Sequence, residues 1–390
     1  MAVAFAARAA ARGRTLLVTV GRVPDPLLAD GTGPFDHVHL NPVELLAQWW
    51  ESLAATVKAG RGLVDDEKSP GGQGFDPFAL EPPELTGLAD AEHVLVLRAI
   101  RGHAESGRYG TVVVDGPGFD GLVSLLTAPA SLGAYLERVW PRHVRLSGPG
   151  SGAATGSLAA LLLAEPVAGL ADQLAAFVAD RSALELLYVF TGDGGRPQRA
   201  RDELAALEVL GLRPVALVLN RLFALDDRFA LDLPHPAVRV VRARVAAQDD
   251  AREVASELST VLNRPVLEAA ETADPVRTPA DAAALDFDPS TVLDAAPALP
   301  PAPEVHRLDD GEDPRGLDAR YEWVLPLPLV DPATIGLGRV EEDLLVDAQG
   351  VRRRMRLPSV LRRCVVAGAT YVEGELRVSF TPDREVWPGG

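Results

Sequence analysis

Hydrophobic and polar positions alternate along the first 263 residues in two ways. Short apolar runs rich in Val, Leu and Thr predict buried strands, and longer segments with a period near 3.6 predict amphipathic helices. Buried strands that alternate with helices predict an α/β fold, with a doubly wound, mostly parallel sheet covered on both faces. The predicted strands are residues 15–20, 109–114, 184–190, 214–219 and 238–241.

Helices are predicted between these strands. The clearest start signal is the stretch NPVE, in which Asn41 can cap the helix, Pro42 suits its first turn and Glu44 holds the capping-box position. Pro129 is expected to interrupt one of the helices. The predicted helices cover residues 2–12, 42–59, 88–103, 122–139, 158–179, 196–210 and 250–262.

The pattern changes after residue 263. Residues 264–319 contain 13 acidic residues, 4 basic residues and nine prolines, which predicts an acidic, partly disordered linker. In residues 320–390, short alternating segments are separated by turns, which predicts a small antiparallel β-sandwich. The chain is therefore expected to comprise an α/β domain (1–263), a linker (264–319) and a β-sandwich domain (320–390).

Composition narrows the possible partners and compartments. The net charge of −17 argues against nucleic acid or an anionic membrane as the main partner. Cys364 is the only cysteine, so an internal disulfide or a cysteine metal cluster is excluded and a reducing cytoplasm is expected. We find no apolar run of the eighteen or so residues that a membrane span needs.

Two strand ends carry candidate chemistry. The strand 109–114 ends at Asp115 and a Gly116-Pro117 loop follows it, at the kind of position where open α/β sheets bind ligands. In P-loop NTPases such an aspartate holds Mg²⁺. Asp115 could equally be a solvated helix-cap residue, and Asn220, which ends the strand 214–219, could simply cap a turn.

Seven stretches carry a family resemblance. VVVDGPGFDGLVSLLTAPASLGAYLERV resembles switch II of the ArsA family, which comprises arsenite-pump ATPases and related targeting ATPases for tail-anchored membrane proteins. VHLNPVELLAQWW is similar to the family's helix after switch I, and LGLRPVALVLNRL to its late strand. YEWVLPLPL, DLLVDA, VRRRMRLP and ELRVSF together resemble the small α-crystallin-like domain appended to many bacterial members.

The resemblance implies a nucleotide site in a P-loop NTPase fold. By position, Asp115, Gly116 and Pro117 correspond to switch II residues, and Asp115 would hold Mg²⁺. Asn220 corresponds to the asparagine that contacts adenine. ATP and Mg²⁺ are thus the implied cofactors if the nucleotide site is retained. No other metal is expected, although His37 and His39 have a spacing that two ligands on one strand could use.

The chain also departs from the family pattern. The family's first strand and its G-K-G-G-V-G-K-T loop would precede the sequence, and Gly21 stands where the family has an aspartate that positions the attacking water. Asp25 is nearby but out of register, and switch II lacks the family's Thr and His. We therefore expect a non-hydrolysing member. The alternative is an active ATPase with an upstream start, which a P-loop motif in the preceding reading frame would favour.

The family also implies partners. ArsA-type proteins dimerise around nucleotide, so we expect a homodimer or a heterodimer with an ArsA-type paralogue. The segments 42–59, 81–103 and 122–179 correspond to helices that can hold a hydrophobic client, which would be a chaperone function. Membrane contact is expected only through a partner. Transport of arsenite is not expected, because the cysteines that bind it in pump subunits have no counterparts here.

Overall fold

The chain forms two compact units, which are described separately. The first comprises Met1–Leu184 and Asp274–Leu285, and the second Glu185–Ala273 and Asp286–Gly390. Within residues 57–61 and 158–165, and at 197 and 235, only the helical backbone is described. The computed structural model describes residues 1–28, 33–61, 90–139, 141–142, 158–180, 184–192, 197–223, 235–272, 274–295, 303–308 and 318–387.

The first unit is built on a parallel sheet of three strands in the order β2-β1-β3. Its strands are β1 (Thr15–Val20), β2 (Asp36–Leu40) and β3 (Thr111–Asp115). Its helices are α1 (Ala2–Ala10), α2 (Pro42–Arg61), α3 (Ala91–Ala104), α4 (Gly118–Val139), α5 (Leu158–Ala179) and α8 (Pro279–Ala283), and Pro26–Leu28 forms a 3-10 turn.

The central strand β1 explains why helices cover both faces of this sheet. Leu16 and Val18 are fully buried in a core that α3, α4 and α5 supply. Leu17 points to the opposite face and is buried against α1, α8 and Phe35. Successive side chains of a strand alternate between faces, so the continuous apolar run of β1 requires cover on both sides.

The second unit contains another parallel sheet, in the order β4-β5-β6, followed by two antiparallel sheets. The parallel part consists of β4 (Leu187–Thr191), α6 (Pro197–Val209), β5 (Ala216–Leu222), α7 (His235–Leu262) and β6 (Val266–Ala270), with α9 (Ser290–Leu293) after it. The antiparallel strands are β7 (Glu304–Arg307), β8 (Tyr321–Pro326), β9 (Gly336–Val340), β10 (Asp343–Ala348), β11 (Val351–Arg356), β12 (Cys364–Val372) and β13 (Glu375–Pro382).

The antiparallel sheets share one core with helix α6. Their orders are β11-β10-β9 and β12-β13-β8-β7, and Trp323 and Phe380 are buried between them. Ala205 and Val209 of α6 belong to the same buried cluster. Arg213, just after α6, donates a hydrogen bond to the carbonyl oxygen of Pro326 at 3.0 Å. The sandwich and α6 therefore form one packed body within the second unit.

The predicted α/β fold with a C-terminal antiparallel domain is confirmed, and one predicted strand is wrong. Residues 238–241 belong to the long helix α7 instead. Val238, Val241 and Val245 are half-buried and Gln248 is buried, whereas Val240 is 71% exposed. That spacing is helical, and α7 continues without Gly or Pro to Leu262, so the β-branched cluster at its start is a poor strand signal.

The segment expected to be a linker contains secondary structure. Strand β6 pairs with β5 through Val266 and Leu267, which extends the parallel sheet beyond the predicted boundary at residue 263. Thr278 and Asp281 form a capping box at the start of α8. Charge and proline content had masked these short apolar and capping signals.

Helix α4 differs from the expectation about membrane spans. In the part of the chain that the structure describes, it is the one helix with the length and apolar composition of a span. It packs against α3 and α5 in the first unit. A single such helix is weak support for a membrane segment, because core helices of soluble proteins have the same composition.

Candidate functional site

The carboxyl end of the first sheet gathers polar side chains from all three strands. Asp115 ends β3 and lies opposite Thr19 of β1, which in turn lies opposite His39 of β2. His37 is two residues before His39 and therefore faces the same side of the sheet. The side chains of Thr19, His37, His39 and Asp115, together with Asp25 in the loop that follows β1, are called the first-sheet cluster below.

The hydroxyl of Thr19 joins the two histidines. Its Oγ1 lies 3.0 Å from Nε2 of His37 and 3.1 Å from Nδ1 of His39. A hydroxyl has one hydrogen to donate and two lone pairs, so at most one ring nitrogen accepts from it and at least one ring donates an N–H to the oxygen. Burial and the neighbouring His39 lower the pKa of His37, which favours neutral imidazole.

Two carboxylates complete the cluster. Asp115 keeps an exposed surface, but the protein atoms around its carboxyl desolvate it and raise its pKa; the amino group of Met1 opposes this rise and Asp25 adds to it. The charge of Asp25 also acts on His37. Asp25 accepts a hydrogen bond from the backbone N–H of Leu27 at 2.9 Å, which fixes the loop after β1. The loop thus brings Asp25 to the cluster, although Asp25 is out of register with the family's aspartate in the sequence.

Position 21 has room for a larger residue. The N–H of Gly21 donates to the carbonyl oxygen of Leu40 at 3.1 Å, so this position continues the pairing of β1 with β2. A Cβ atom added here would lie 4.0 Å from Cε1 of His39 and 3.7 Å from the carbonyl oxygen of Val23, which are ordinary contacts. The backbone therefore does not require glycine, and the absence of a carboxylate here is a property of the sequence.

The loop after Asp115 closes on itself. The N–H of Gly118 donates to the carbonyl oxygen of Gly116 at 3.0 Å, and Gly118 has a positive φ of 54°. Pro117 has no N–H and packs so closely on Gly121 that an added Cβ there would come within 2.8 Å of its ring. Among Gly116, Pro117 and Gly118, Pro117 thus lacks an N–H and Gly118 has its N–H engaged, so this turn offers a phosphate at most one free N–H.

Asn220 lies in the second unit, whereas Asp115, Gly116 and Pro117 lie in the first. Its Oδ1 accepts the N–H of Arg221 at 2.8 Å, and its backbone carbonyl accepts the N–H of Gly192 at 2.9 Å. Arg221 has a φ of 58°, and the pairing of β5 with β6 shifts register at this point. The asparagine oxygen therefore caps a local irregularity of β5, and contact of Asn220 with adenine stays a prediction.

The fit of Mg²⁺ and ATP to these residues is uneven. Carboxylate oxygens, the ligands that Mg²⁺ prefers, are present in Asp115 and Asp25. Among the described residues, no group of three or more His, Cys, Asp or Glu side chains is placed to hold a metal ion. The closed Gly116-Pro117-Gly118 turn offers no cradle for a triphosphate. The described residues thus supply two carboxylates for a cation but no set of three side-chain ligands, and this turn supplies no cradle for a triphosphate.

The sequence indicates Asp115 as a candidate site residue but does not indicate Thr19. A threonine inside a strand is an ordinary β-former, so its role becomes visible only from the register of β1 with β2. The alternation in DHVHL was the available signal, since it places His37 and His39 on one face of a strand.

Comparisons with known proteins identify the family. Residues 318–380 match the family described as an HSP20-like domain found in ArsA. The chain is 32% identical to protein Rv2184c of Mycobacterium tuberculosis over 362 residues, covering 92% of this chain and 81% of that protein. It is 30% identical to the uncharacterised protein SCO2128 of Streptomyces coelicolor over 395 aligned positions, covering 99% of this chain and 95% of that protein. The chain therefore belongs to an ArsA-type family together with these two proteins, and it carries the HSP20-like domain at its C-terminal end.

Proposed function

We propose that this protein is a non-hydrolysing ArsA-type protein that acts through protein interaction, as a dimer with itself or with an intact ATPase paralogue. The observation that carries the proposal is Gly21. It stands beside His39 at the position where the family places its water-orienting aspartate, although the backbone there has room for a side chain.

Phosphoryl transfer gives the physical reason. The protein's contribution to this reaction is almost entirely positioning and charge stabilisation. A glycine at position 21 cannot orient a water molecule. The turn after Asp115 binds its own N–H group, and Pro117 supplies none. Two contributions to the same reaction are thus weakened in one unit, so hydrolysis by these residues is expected to be very slow.

An active ATPase is the second candidate, and the position of Asp25 favours it. The negative charge of Asp25 contributes to the raised pKa of Asp115, and two neighbouring carboxylates are an arrangement that a divalent cation would stabilise. In this candidate Asp115 would hold Mg²⁺ and Asn220 would contact adenine, and hydrolysis would be coupled to anion transport or to membrane-protein targeting.

A hydrophobic client is a further part of the proposal. Helix α4 keeps Tyr135 65% exposed and Val139 48% exposed near its carboxyl end. Exposed apolar groups on an apolar helix support a surface that binds nonpolar segments. The mixed α/β composition and the single cysteine are compatible with the cytoplasm, which we propose as the compartment.

Calorimetric titration with ATP and Mg²⁺ tests the proposal. The full chain is titrated beside Asp115→Asn and beside the matched control Asp120→Asn, which removes an exposed carboxylate five residues away. We expect no binding heat up to millimolar nucleotide for all three proteins. Micromolar binding that Asp115→Asn weakens and Asp120→Asn leaves intact would contradict the proposal and support the ATPase.

A further inference from the structure

Helix α7 has one face packed inside the second unit and one face open to solvent. Ala251, Ala255 and Leu258 are buried, at the three- and four-residue spacing of a helix face. The opposite side of the helix carries an exposed stripe, called the outer stripe below. Its members are Arg239, Arg242, Ala243, Ala246, Asp250 and Glu253. At about 1.5 Å per residue, the outer stripe is roughly 21 Å long, so another helix can lie along it.

The charged residues of α7 fall into two groups by their ion pairs. Four of its Arg, Asp and Glu residues pair with acidic or basic side chains inside the second unit: Arg244, Asp249, Arg252 and Glu257. The other four are exposed, lie on the outer stripe and form no ion pair with any residue that the structure describes: Arg239, Arg242, Asp250 and Glu253. The unpaired charges of α7 therefore share one face.

The order of charge along the outer stripe is the reverse of the order that stabilises a helix by itself. Its two arginines come first and its two acidic residues follow. The first turn of α7 holds no acidic residue and the last turn holds no basic residue. The helix dipole favours acidic side chains near the amino end and basic side chains near the carboxyl end. The stripe therefore gains little within the chain, and its charge order points to another molecule.

The outer stripe is complementary in charge to an antiparallel copy of itself. Arg239 and Glu253 are each seven residues from Ala246. Arg242 and Asp250 are each four residues from it. When two stripes cross antiparallel at Ala246, each Arg239 lies level with Glu253 of the other copy. Each Arg242 lies level with Asp250 of the other copy in the same way, so four pairs of opposite charge form.

We propose that a second copy of this chain binds the outer stripe, with α7 against α7 in an antiparallel, two-fold arrangement centred on Ala246. The side chains at the centre, Ala243 and Ala246, are small enough for the helix axes to approach to about 8 Å. A two-fold arrangement uses the same patch on both copies, which is the commonest symmetry of homo-oligomers.

The total charge of the chain makes this local complementarity necessary. A net charge of −17 repels another copy at long range, so a contact between copies needs local attraction. One helix from each copy gives a small interface, below about 1,200 Å² in total, so we expect a weak dimer. This inference rests on the homodimer in the proposed function and names its surface. No nucleotide takes part in it, so a monomeric chain would reject the interface and leave the expected lack of hydrolysis standing.

Disulfide formation by Ala246→Cys tests the centre of the pair. The native thiol of Cys364 is buried, which raises its pKa to about 11 and keeps it unreactive at neutral pH. The two copies of residue 246 meet at the axis, near the Cα separation of about 4.4–6.8 Å that a disulfide needs. We expect most of this variant to become a covalent dimer on mild oxidation. The matched control Ser256→Cys puts an exposed thiol on the same helix, with its two copies about 30 Å apart, and should stay mostly monomeric.

Sedimentation velocity of the nucleotide-free full chain tests the charge pairing. We expect a concentration-dependent dimer for the wild type. Arg239→Glu places like charges level with each other and is expected to weaken the dimer about tenfold. The double variant Arg239→Glu with Glu253→Arg restores opposite charges and should return the affinity to within about threefold. The matched control Arg320→Glu makes the same charge change at an exposed position before β8 and should leave the affinity within about twofold.

Several results would overturn the proposal. A wild type that stays monomeric up to millimolar concentration would reject the interface. Equal cross-linking of Ala246→Cys and Ser256→Cys would reject the crossing at Ala246. A dimer that Arg239→Glu leaves unchanged, or that the charge-swapped double variant does not restore, would reject the charge pairing, as would equal weakening by Arg320→Glu. Circular dichroism of each variant verifies that a loss of dimer is not a loss of fold.

Discussion

The carboxyl ends of the two parallel sheets differ in the hydrogen bonds that their polar groups make. In the first sheet, Thr19, His37, His39 and Asp115 meet as titratable or hydrogen-bonding side chains. In the second sheet, a polar side chain bonds to the backbone. The side-chain amide of Gln248 accepts the N–H of Phe223 at 2.6 Å and donates to the carbonyl oxygen of Phe223 at 3.3 Å. The first end thus presents titratable side chains, whereas the second is closed by hydrogen bonds between a side chain and the backbone.

This difference indicates which sheet end carries side chains with shifted pKa values. The pKa values of His37 and Asp115 are shifted by burial and by neighbouring charges, as often happens at functional sites. Asn220, which the resemblance assigns to adenine contact, accepts the N–H of Arg221 through its side-chain oxygen, and its contact with adenine stays a prediction. The shifted pKa values therefore lie at the end of the first sheet, where the resemblance places the residue that would hold Mg²⁺.

The largest expected effect on stability comes from removing the two hydrogen bonds of Gln248 at the end of the second sheet. Gln248→Leu would leave the N–H and the carbonyl of Phe223, the partly exposed residue that follows β5, without the buried side chain that bonds both, at a cost of about 3 kcal/mol in the free energy of unfolding of the second unit. Hydrogen exchange of the β5 amides measures this quantity. Asp250→Asn, at an exposed position of α7, is the matched control and should change it by less than about 0.5 kcal/mol.

A buried carboxyl away from the sheet end should dominate the pH dependence of the second unit. Burial raises the pKa of Glu208 from the ordinary 4.5 to about 7. The N–H of Leu329 at 2.9 Å and the guanidinium of Arg213 at 3.4 Å both lower this pKa, but by less than burial raises it. The contact of Arg213 with Oε1 lacks hydrogen-bond geometry, which is consistent with the dominance of burial. The folded state thus binds this proton more tightly than the unfolded state does.

The sign of the effect follows from that preference. The stabilising contribution of protonated Glu208 is complete below pH 4.5 and is lost as the pH rises to about 7. Urea unfolding from pH 5 to pH 8 should therefore show a fall in stability of up to about 3 kcal/mol. Glu208→Gln should abolish most of this slope. An unchanged slope in the variant would assign the titration to another group.

Removing the bridge between the histidines should have a smaller effect. Thr19→Val deletes the hydroxyl that contacts both rings and should lower the stability of the first unit by about 1–2 kcal/mol. The ring ¹⁵N chemical shifts of His37 and His39 should move toward those of mixed tautomers. Thr111→Val, at the first residue of β3, removes a hydroxyl from the same sheet and should leave those shifts unchanged.

The sequence predicts strands and helices well where the periodicity is continuous. Strand β1 and helix α5 have the predicted bounds, because their apolar patterns end at clear breaks. The sequence predicts too short a helix α7, because the β-branched cluster at its start indicates a strand. It predicts no strand at β6, because the residues that follow β6 are acidic and rich in proline. Local composition was misleading in both places because the deciding interaction is packing against a distant strand.

The candidate site was predictable only in part. Asp115 is recognisable as the end of a buried strand, but its proximity to Asp25 depends on the path of a loop. The contact of Thr19 with two histidines depends on the register of β1 with β2. Register is fixed by burial on both faces of the sheet, so a single strand read along the chain does not reveal it.

Phosphate release from ATP measures the central claim most directly. The full chain, in excess over labelled ATP and Mg²⁺, is followed for several hours beside Asp115→Asn and buffer alone. The account predicts that both proteins release phosphate at the rate of the buffer. A faster release that Asp115→Asn lowers at least tenfold would contradict it and would assign hydrolysis to the first-sheet cluster.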